Sequence, residues 1–130
     1  MKTNPFSKND GGTISFNGRA ALGITAVLFP NLADSDGEML YTLWIVGKKG
    51  RVFYADPDGK PKTFYEDEGM EAAKRIAYDP VLVAKVQGIK YCFETCPRCK
   101  FAQKCLVDAE AETLSCLACN KTWSYQGAIL

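Results

Sequence analysis

The chain of 130 residues contains no histidine. Histidine is the commonest general base in catalysis and the commonest nitrogen ligand for metals. A metal site here must therefore use thiolates or carboxylates, and Ser/His/Asp and Cys/His catalytic arrangements are excluded. The sequence also lacks a P-loop and a G-x-G-x-x-G motif. We therefore expect a protein that is not an enzyme.

Long apolar runs are missing as well. The longest apolar stretches lie near residues 20–29 and 39–46, short of the roughly 18–20 residues that span a bilayer. The opening residues 1–5 have no apolar segment behind Lys2, so we expect no secretory signal, no membrane association and a cytoplasmic protein. Disulfides are uncommon inside cells, so the six cysteines are better suited to metal binding or to reduced thiols.

The charge is nearly balanced, at a formal net charge of +1. Residues 1–90 carry 12 Lys and Arg against 11 Asp and Glu, and residues 91–130 carry four of each. Neither part has the basic excess of a protein whose affinity comes mainly from phosphates. A nucleic-acid contact would therefore have to be a local patch.

Apolar patterning predicts an α+β fold. Strands are expected at residues 14–16, 24–29, 39–46, 51–55 and 62–65, with residues 39–46 covered on both faces and Pro30 ending the second strand. A helix is expected from Glu66 to about Tyr78, stopped by Asp79-Pro80, with residues 81–86 and 89–93 extended. We divide the chain into a flexible N-terminal segment (1–13), an antiparallel sheet with one helix (14–90) and a C-terminal metal module (91–130).

The metal module is predicted from cysteine spacing. Cys96 and Cys99 form one Cys-x2-Cys pair, sixteen residues follow, and Cys116 and Cys119 form a second. Each pair closes a tight turn that points two sulfur atoms at one cation, and two pairs complete the tetrahedron of a structural zinc site. The intervening residues suit a hairpin, and residues 120–125 suit a further strand.

The motifs CPRC and CLAC, the proline after Cys96 and the aromatic residue after the second pair resemble the zinc ribbons of transcription factors, RNA polymerase subunits, ribosomal proteins and many phage proteins. The resemblance covers about residues 92–126 and implies a small fold held by Zn²⁺. It specifies metal binding more than function, because the class serves many roles.

Cys92 and Cys105 lie outside these pairs. Cys92, Cys96 and Cys99 match the spacing that holds a [4Fe–4S] cluster in radical-SAM enzymes, but only 31 residues follow Cys99, too few for the barrel of that family. A cluster that used Cys105 as its fourth ligand would leave the second pair unexplained. We expect Cys92 and Cys105 to be buried thiols that bind no metal.

Basic residues near aromatic ones are candidates for nucleic-acid binding, by phosphate contact and base stacking. The same residues also suit solvated turns and core aromatics. In the first part of the chain the candidates are Lys48, Lys49, Arg51, Lys60 and Lys62, and in the metal module they are Arg98, Lys100, Lys121 and Trp123.

Acidic residues cluster at the turn of the predicted ribbon hairpin, namely Asp108, Glu110 and Glu112. Phosphate would be repelled there, whereas a basic protein surface would fit. The sequence thus supports two hypotheses: a zinc protein that acts in nucleic-acid transactions, on DNA or RNA or with the transcription or replication machinery, and a protein–protein adaptor or small inhibitor whose zinc only shapes a docking surface.

Overall fold

The computed structural model describes residues 4–125, which form two antiparallel sheets and two α-helices. Single turns of 3₁₀ helix at Asp10–Gly12 and Ala20–Leu22 lie between the first strands. The strands are β1 (Phe6–Lys8), β2 (Ile14–Phe16), β3 (Thr25–Ala33), β4 (Met39–Gly47), β5 (Gly50–Phe53), β6 (Thr63–Phe64), β7 (Tyr91–Thr95), β8 (Ala102–Asp108), β9 (Thr113–Cys116) and β10 (Thr122–Ser124), and the helices are α1 (Glu66–Ile76) and α2 (Pro80–Gln87).

The larger sheet has the order β1-β2-β3-β4-β5, and β6 pairs with β4 beyond the end of β5. β1 lies in the segment that we expected to be flexible, of which residues 1–3 lie outside the described range. β3 continues past Pro30, where we expected it to end, through an irregularity in its pairing with β4. Pro30 still pairs with Tyr41, and the irregularity lies between Pro30 and Ala33, where a strand tolerates a neighbouring proline.

β4 alternates rather than being covered on both faces. Tyr41, Leu43 and Ile45 are buried, while Thr42 and Trp44 between them are partly exposed. Both helices pack on the buried side, where Leu28, Leu43 and Ile45 form the main core with residues of α1 and α2. The expectation of a doubly covered strand was wrong because outward-facing apolar residues gave the run its continuous apolar appearance.

The expectation of one helix was also wrong, because residues 80–87 form α2 and not a strand. The Asp79 carboxylate accepts hydrogen bonds from the N–H groups of Val81 and Leu82. Pro80 occupies the first turn, and Gly88 ends the helix in the left-handed conformation. These are ordinary start and stop signals for a helix, and here they prevail over the strand preference of the valines.

The smaller sheet has the order β10-β9-β8-β7. Its core joins Cys105, Val107 and Leu114 to Val81 and Ala84 of α2. The same helix sends Val83 and Val86 into the main core. α2 is therefore a wall shared by both cores, whereas the division into residues 14–90 and 91–130 stays a prediction.

Candidate metal centre

Two turns of nearly identical geometry carry the four paired cysteines. In the first, the Lys100 N–H donates to the Cys96 carbonyl at 2.8 Å, and in the second the Asn120 N–H donates to the Cys116 carbonyl at 2.8 Å. Lys100 and Asn120 both have positive φ, at 68° and 63°. The left-handed residue after each second cysteine turns the chain back into a strand, so both turns present their sulfur atoms to the same point.

The four sulfur atoms converge as the spacing predicts. The ligand atoms of Cys96, Cys99, Cys116 and Cys119 all lie within 4.8 Å of one another. The Sγ atoms of Cys96 and Cys119 are 3.5 Å apart, and those of Cys99 and Cys116 are 3.9 Å apart. A tetrahedral site with Zn–S bonds of about 2.3 Å has S···S edges of about 3.8 Å. These four cysteines could hold a metal ion.

Two of the four cysteines, Cys96 and Cys99, differ sharply in acidity. Burial raises the pKa of Cys96, but hydrogen bonds from the N–H groups of Cys99 and Arg98 and from the neighbouring thiols outweigh it and lower this pKa to about 6. Burial and hydrogen bonding among the thiols raise the pKa of Cys99 to about 12. A cation bound by all four sulfur atoms would have to displace the proton held by Cys99, so its affinity must rise with pH.

Cys92 and Cys105 lie opposite each other on β7 and β8, in the small core. The Cys105 thiol is fully buried and donates to the Gln103 carbonyl at 3.3 Å. Burial raises the pKa of Cys92 to about 12, and burial likewise raises the pKa of Cys105. Cys105 is buried as expected, whereas Cys92 is only partly buried, and both lie outside the group of four.

The basic candidates of the first part do not form one patch. Arg51 lies on the outward side of β5, with its guanidinium 5.2 Å from the centre of the Trp44 ring. Lys48 and Lys49 lie at the β4–β5 turn, with side chains that run past Gly23 and Gly88. Lys60 is exposed in the turn after β5, and Lys62 lines a cleft with residues of α1.

The nucleic-acid-binding candidates near the cysteines differ in their exposure to solvent. Arg98 and Lys100 are exposed and Lys121 is partly exposed, all on the two cysteine turns. The Arg98 guanidinium lies 3.5 Å from the Cys119 carbonyl oxygen. Trp123 is partly buried against the small core, so less of its ring is available for stacking on a base.

The acidic turn is occupied by contacts within the molecule. The Asp108 carboxylate accepts hydrogen bonds from the N–H groups of Glu110 and Ala111. Glu112 forms an ion pair with Lys85 of α2 at 3.0 Å. Glu110 is exposed.

The sequence reasoning missed an exposed group on the smaller sheet. Tyr91, Phe93 and Leu106 are 50%, 74% and 40% exposed, and Lys104 lies beside them. The alternation of Tyr91 and Phe93 with Cys92 and Glu94 was the available signal, because it places both aromatic rings on one side of a strand.

Comparison with protein-family models, curated proteins and solved structures finds no match for this chain. Neither helix within residues 4–125 has the length and apolar character needed to cross a bilayer.

Proposed function

We propose that Cys96, Cys99, Cys116 and Cys119 bind one Zn²⁺ as a structural site. The observation that carries this is the convergence of four sulfur atoms at tetrahedral spacing from two matching turns. Four protein ligands leave no open position for substrate, as in closed structural sites. Four thiolates and a divalent cation give a formal charge of about −2, which Arg98, Lys100 and Lys121 on the two turns would partly offset.

Metal content and absorption of the purified protein test this assignment. We expect about one zinc per chain and no visible absorption band. Cys99→Ser should lose the zinc, while Cys105→Ser, which changes a buried thiol outside the group, should keep it. Iron with a charge-transfer band would contradict the zinc assignment, because tetrahedral sulfur sites also suit iron.

We further propose that this is a non-enzymatic protein that binds nucleic acid. Trp44 lies on the side of the larger sheet opposite the helices and makes edge contacts with Phe29 and Phe53. Arg51 stacks over the same ring, and Lys48 and Lys49 are exposed at the end of this hairpin. Partly exposed aromatics beside cations are suited to bases and phosphates.

The acidic turn gives little support to the adaptor hypothesis. Two of its three carboxylates are engaged inside the molecule, Asp108 by backbone N–H groups and Glu112 by Lys85. All three side chains nevertheless remain exposed, so these contacts reduce the negative charge that the turn offers a basic partner without removing it.

Binding of a labelled single-stranded oligonucleotide at several salt concentrations tests the nucleic-acid proposal. Affinity should fall as salt rises, and Arg51→Glu should weaken binding and reduce the salt slope by about 0.7 for each phosphate that the variant no longer neutralises. Lys48→Glu with Lys49→Glu should act in the same direction. Lys74→Glu, an equal reversal on the exposed side of α1, is the control. Salt-independent binding, or an equally weakened control, would contradict the proposal.

A further inference from the structure

One side of the smaller sheet carries exposed apolar side chains in register. Tyr91 pairs with Leu106 and Phe93 pairs with Lys104 across β7 and β8, so all four side chains point to the same side. We call this group the ribbon face. The alternate residues Cys92, Cys105 and Val107 point the other way into the small core.

Packing does not account for the ribbon face. Phe93 is 74% exposed and Tyr91 is 50% exposed. Cys92, which lies between them, is the residue that packs against the small core. Neighbouring exposed apolar residues of this kind mark binding surfaces on folded proteins. The aromatic rings are therefore available to a partner.

Lys104 gives the ribbon face a cation beside its aromatic rings. The Lys104 ammonium lies 4.9 Å from the centre of the Tyr91 ring, and a cation held on an aromatic ring is well placed to meet a phosphate beside a stacked base. Within β7–β10, the outward side carries one carboxylate, Asp108, and two backbone N–H groups donate to it. Glu94 points to the opposite side, where it lines the cleft beside the edge of β7. Lys104 and Asp108 balance formally on the outward side, so the cation held on the Tyr91 ring, and not a net positive charge, favours a phosphate beside planar groups.

The spacing of the two aromatic rings on β7 suits a single strand of nucleic acid whose bases are unpaired. Tyr91 and Phe93 are two residues apart on one strand, about 7 Å at the usual rise, so each ring can take a separate base. β7 is the edge of its sheet, and beyond it lies a cleft of about 370 Å³ lined by Arg19, Tyr78 and Phe93, among others. Arg19 stacks over Tyr78 there at 4.7 Å. The cleft therefore offers a second cation on an aromatic ring, together with the Glu94 carboxylate.

We propose that the ribbon face binds unpaired bases of single-stranded nucleic acid, with Tyr91 and Phe93 stacking on bases and Lys104 contacting phosphate. The proposal rests on the nucleic-acid function proposed above and adds a second, base-contacting surface on the metal module. A protein partner for the same surface is the competing outcome of the test.

Two ligands of equal charge separate stacking from phosphate contact. The first is a labelled oligothymidylate, and the second is an abasic oligomer of the same length. Phe93→Ala and Tyr91→Ala should each weaken oligothymidylate binding by about fivefold to a hundredfold and leave the abasic oligomer nearly unaffected. Phe93→Trp should retain the affinity, and the fluorescence of its new indole should be quenched on binding. Zinc content serves as the check that each variant is folded.

The outcomes also distinguish this inference from the broader function. If wild-type protein binds oligothymidylate with a salt-dependent affinity that Arg51→Glu reduces but Phe93→Ala does not, the ribbon face is not the base site and the broader function stands. Equal weakening for both oligomers in Phe93→Ala would likewise overturn stacking. A wild-type protein that binds neither oligomer removes both proposals and leaves the ribbon face to a protein partner.

Discussion

Asp79 is the one buried charged side chain among residues 4–125, at 7% exposed. Its carboxylate receives the N–H groups of Val81 and Leu82 at 2.9 and 3.1 Å, and Pro80 has no N–H to satisfy. These bonds replace the water that the carboxylate loses on burial. The residue therefore fixes the point at which α2 begins, between the two cores.

The helix cap can be tested with two substitutions. Asp79→Ala should lower the free energy of unfolding by about 1 kcal/mol, and up to about 2 kcal/mol, because two backbone donors lose their acceptor. Asp79→Asn keeps an acceptor oxygen at the cap and should cost much less. Urea unfolding followed by circular dichroism measures both. Equal effects would show that the charge of Asp79, and not the cap, is what matters.

The same carboxylate should give the protein an acid-range pH dependence. Burial raises the pKa of Asp79, and the bonds from Leu82 and Val81 oppose this only in part. The folded state thus holds the proton more tightly than the unfolded state. Stability from this group is present below pH 3.8, the ordinary pKa of the side chain, and is lost as pH rises through the raised pKa. Unfolding across that range should show a more negative slope of stability against pH in wild type than in Asp79→Asn, which keeps the contributions of Glu94 and Asp34.

At the scale of elements, α2 meets the β4–β5 hairpin without space between them. A Cβ atom on Gly47 would lie 2.6 Å from the Val86 carbonyl oxygen. That carbonyl also accepts the Lys49 N–H, so the contact joins backbone to backbone. The absence of a side chain at Gly47 is what lets the helix end reach the hairpin.

Gly47→Ala should therefore destabilise the protein. The added methyl group must push α2 from the sheet, and we expect a loss of about 1–3 kcal/mol, as for other overpacked sites. Lys48→Ala, an exposed neighbour, should stay within about 0.5 kcal/mol of wild type. Thermal unfolding of both variants makes the comparison. A neutral Gly47→Ala would mean that α2 docks more loosely than the structure shows.

The sequence predicted the short-range features better than the long-range ones. The β4 and β8 strands and the convergence of the cysteines follow from patterns within a few residues or from fixed spacing. α2 was missed because the valines of residues 81–86 suit a strand equally well, and Asp79-Pro80 was interpreted as the end of one helix when it begins the next. The exposed side of Trp44 depends on which side the helices cover, which no local pattern contains. Alternation places Tyr91 and Phe93 on one side of β7, but it does not show that this side is the exposed one.

At the scale of the whole molecule, one helix joins both cores. Val81 and Ala84 face the small core, whereas Val83 and Val86 face the main core. Lys85 adds its ion pair to Glu112 of the ribbon turn, although a partly exposed pair of this kind contributes little. A change in stability around the four cysteines can therefore affect the larger sheet, because α2 packs against both cores.

Removal of the proposed metal ion should destabilise α2 as well as the smaller sheet. With a chelator, or in Cys99→Ser, the ribbon should lose its fold because metal binding supplies much of the stability of such small modules. We then expect faster amide exchange in residues 80–87 as well, with the larger sheet folded but less stable. Hydrogen exchange followed by mass spectrometry measures each segment. Unchanged protection of residues 80–87 would show that α2 holds without the ribbon.

The shared helix also limits how the ribbon can be moved between proteins. A fragment that began at Tyr91 would expose the side of Val107 and Leu114 that α2 covers, and a fragment that ended before Pro80 would leave the main core without Val83 and Val86. A cut on either side of α2 therefore removes core residues from one of the two sheets. A fragment that kept the packing of either core would therefore have to include residues 80–87.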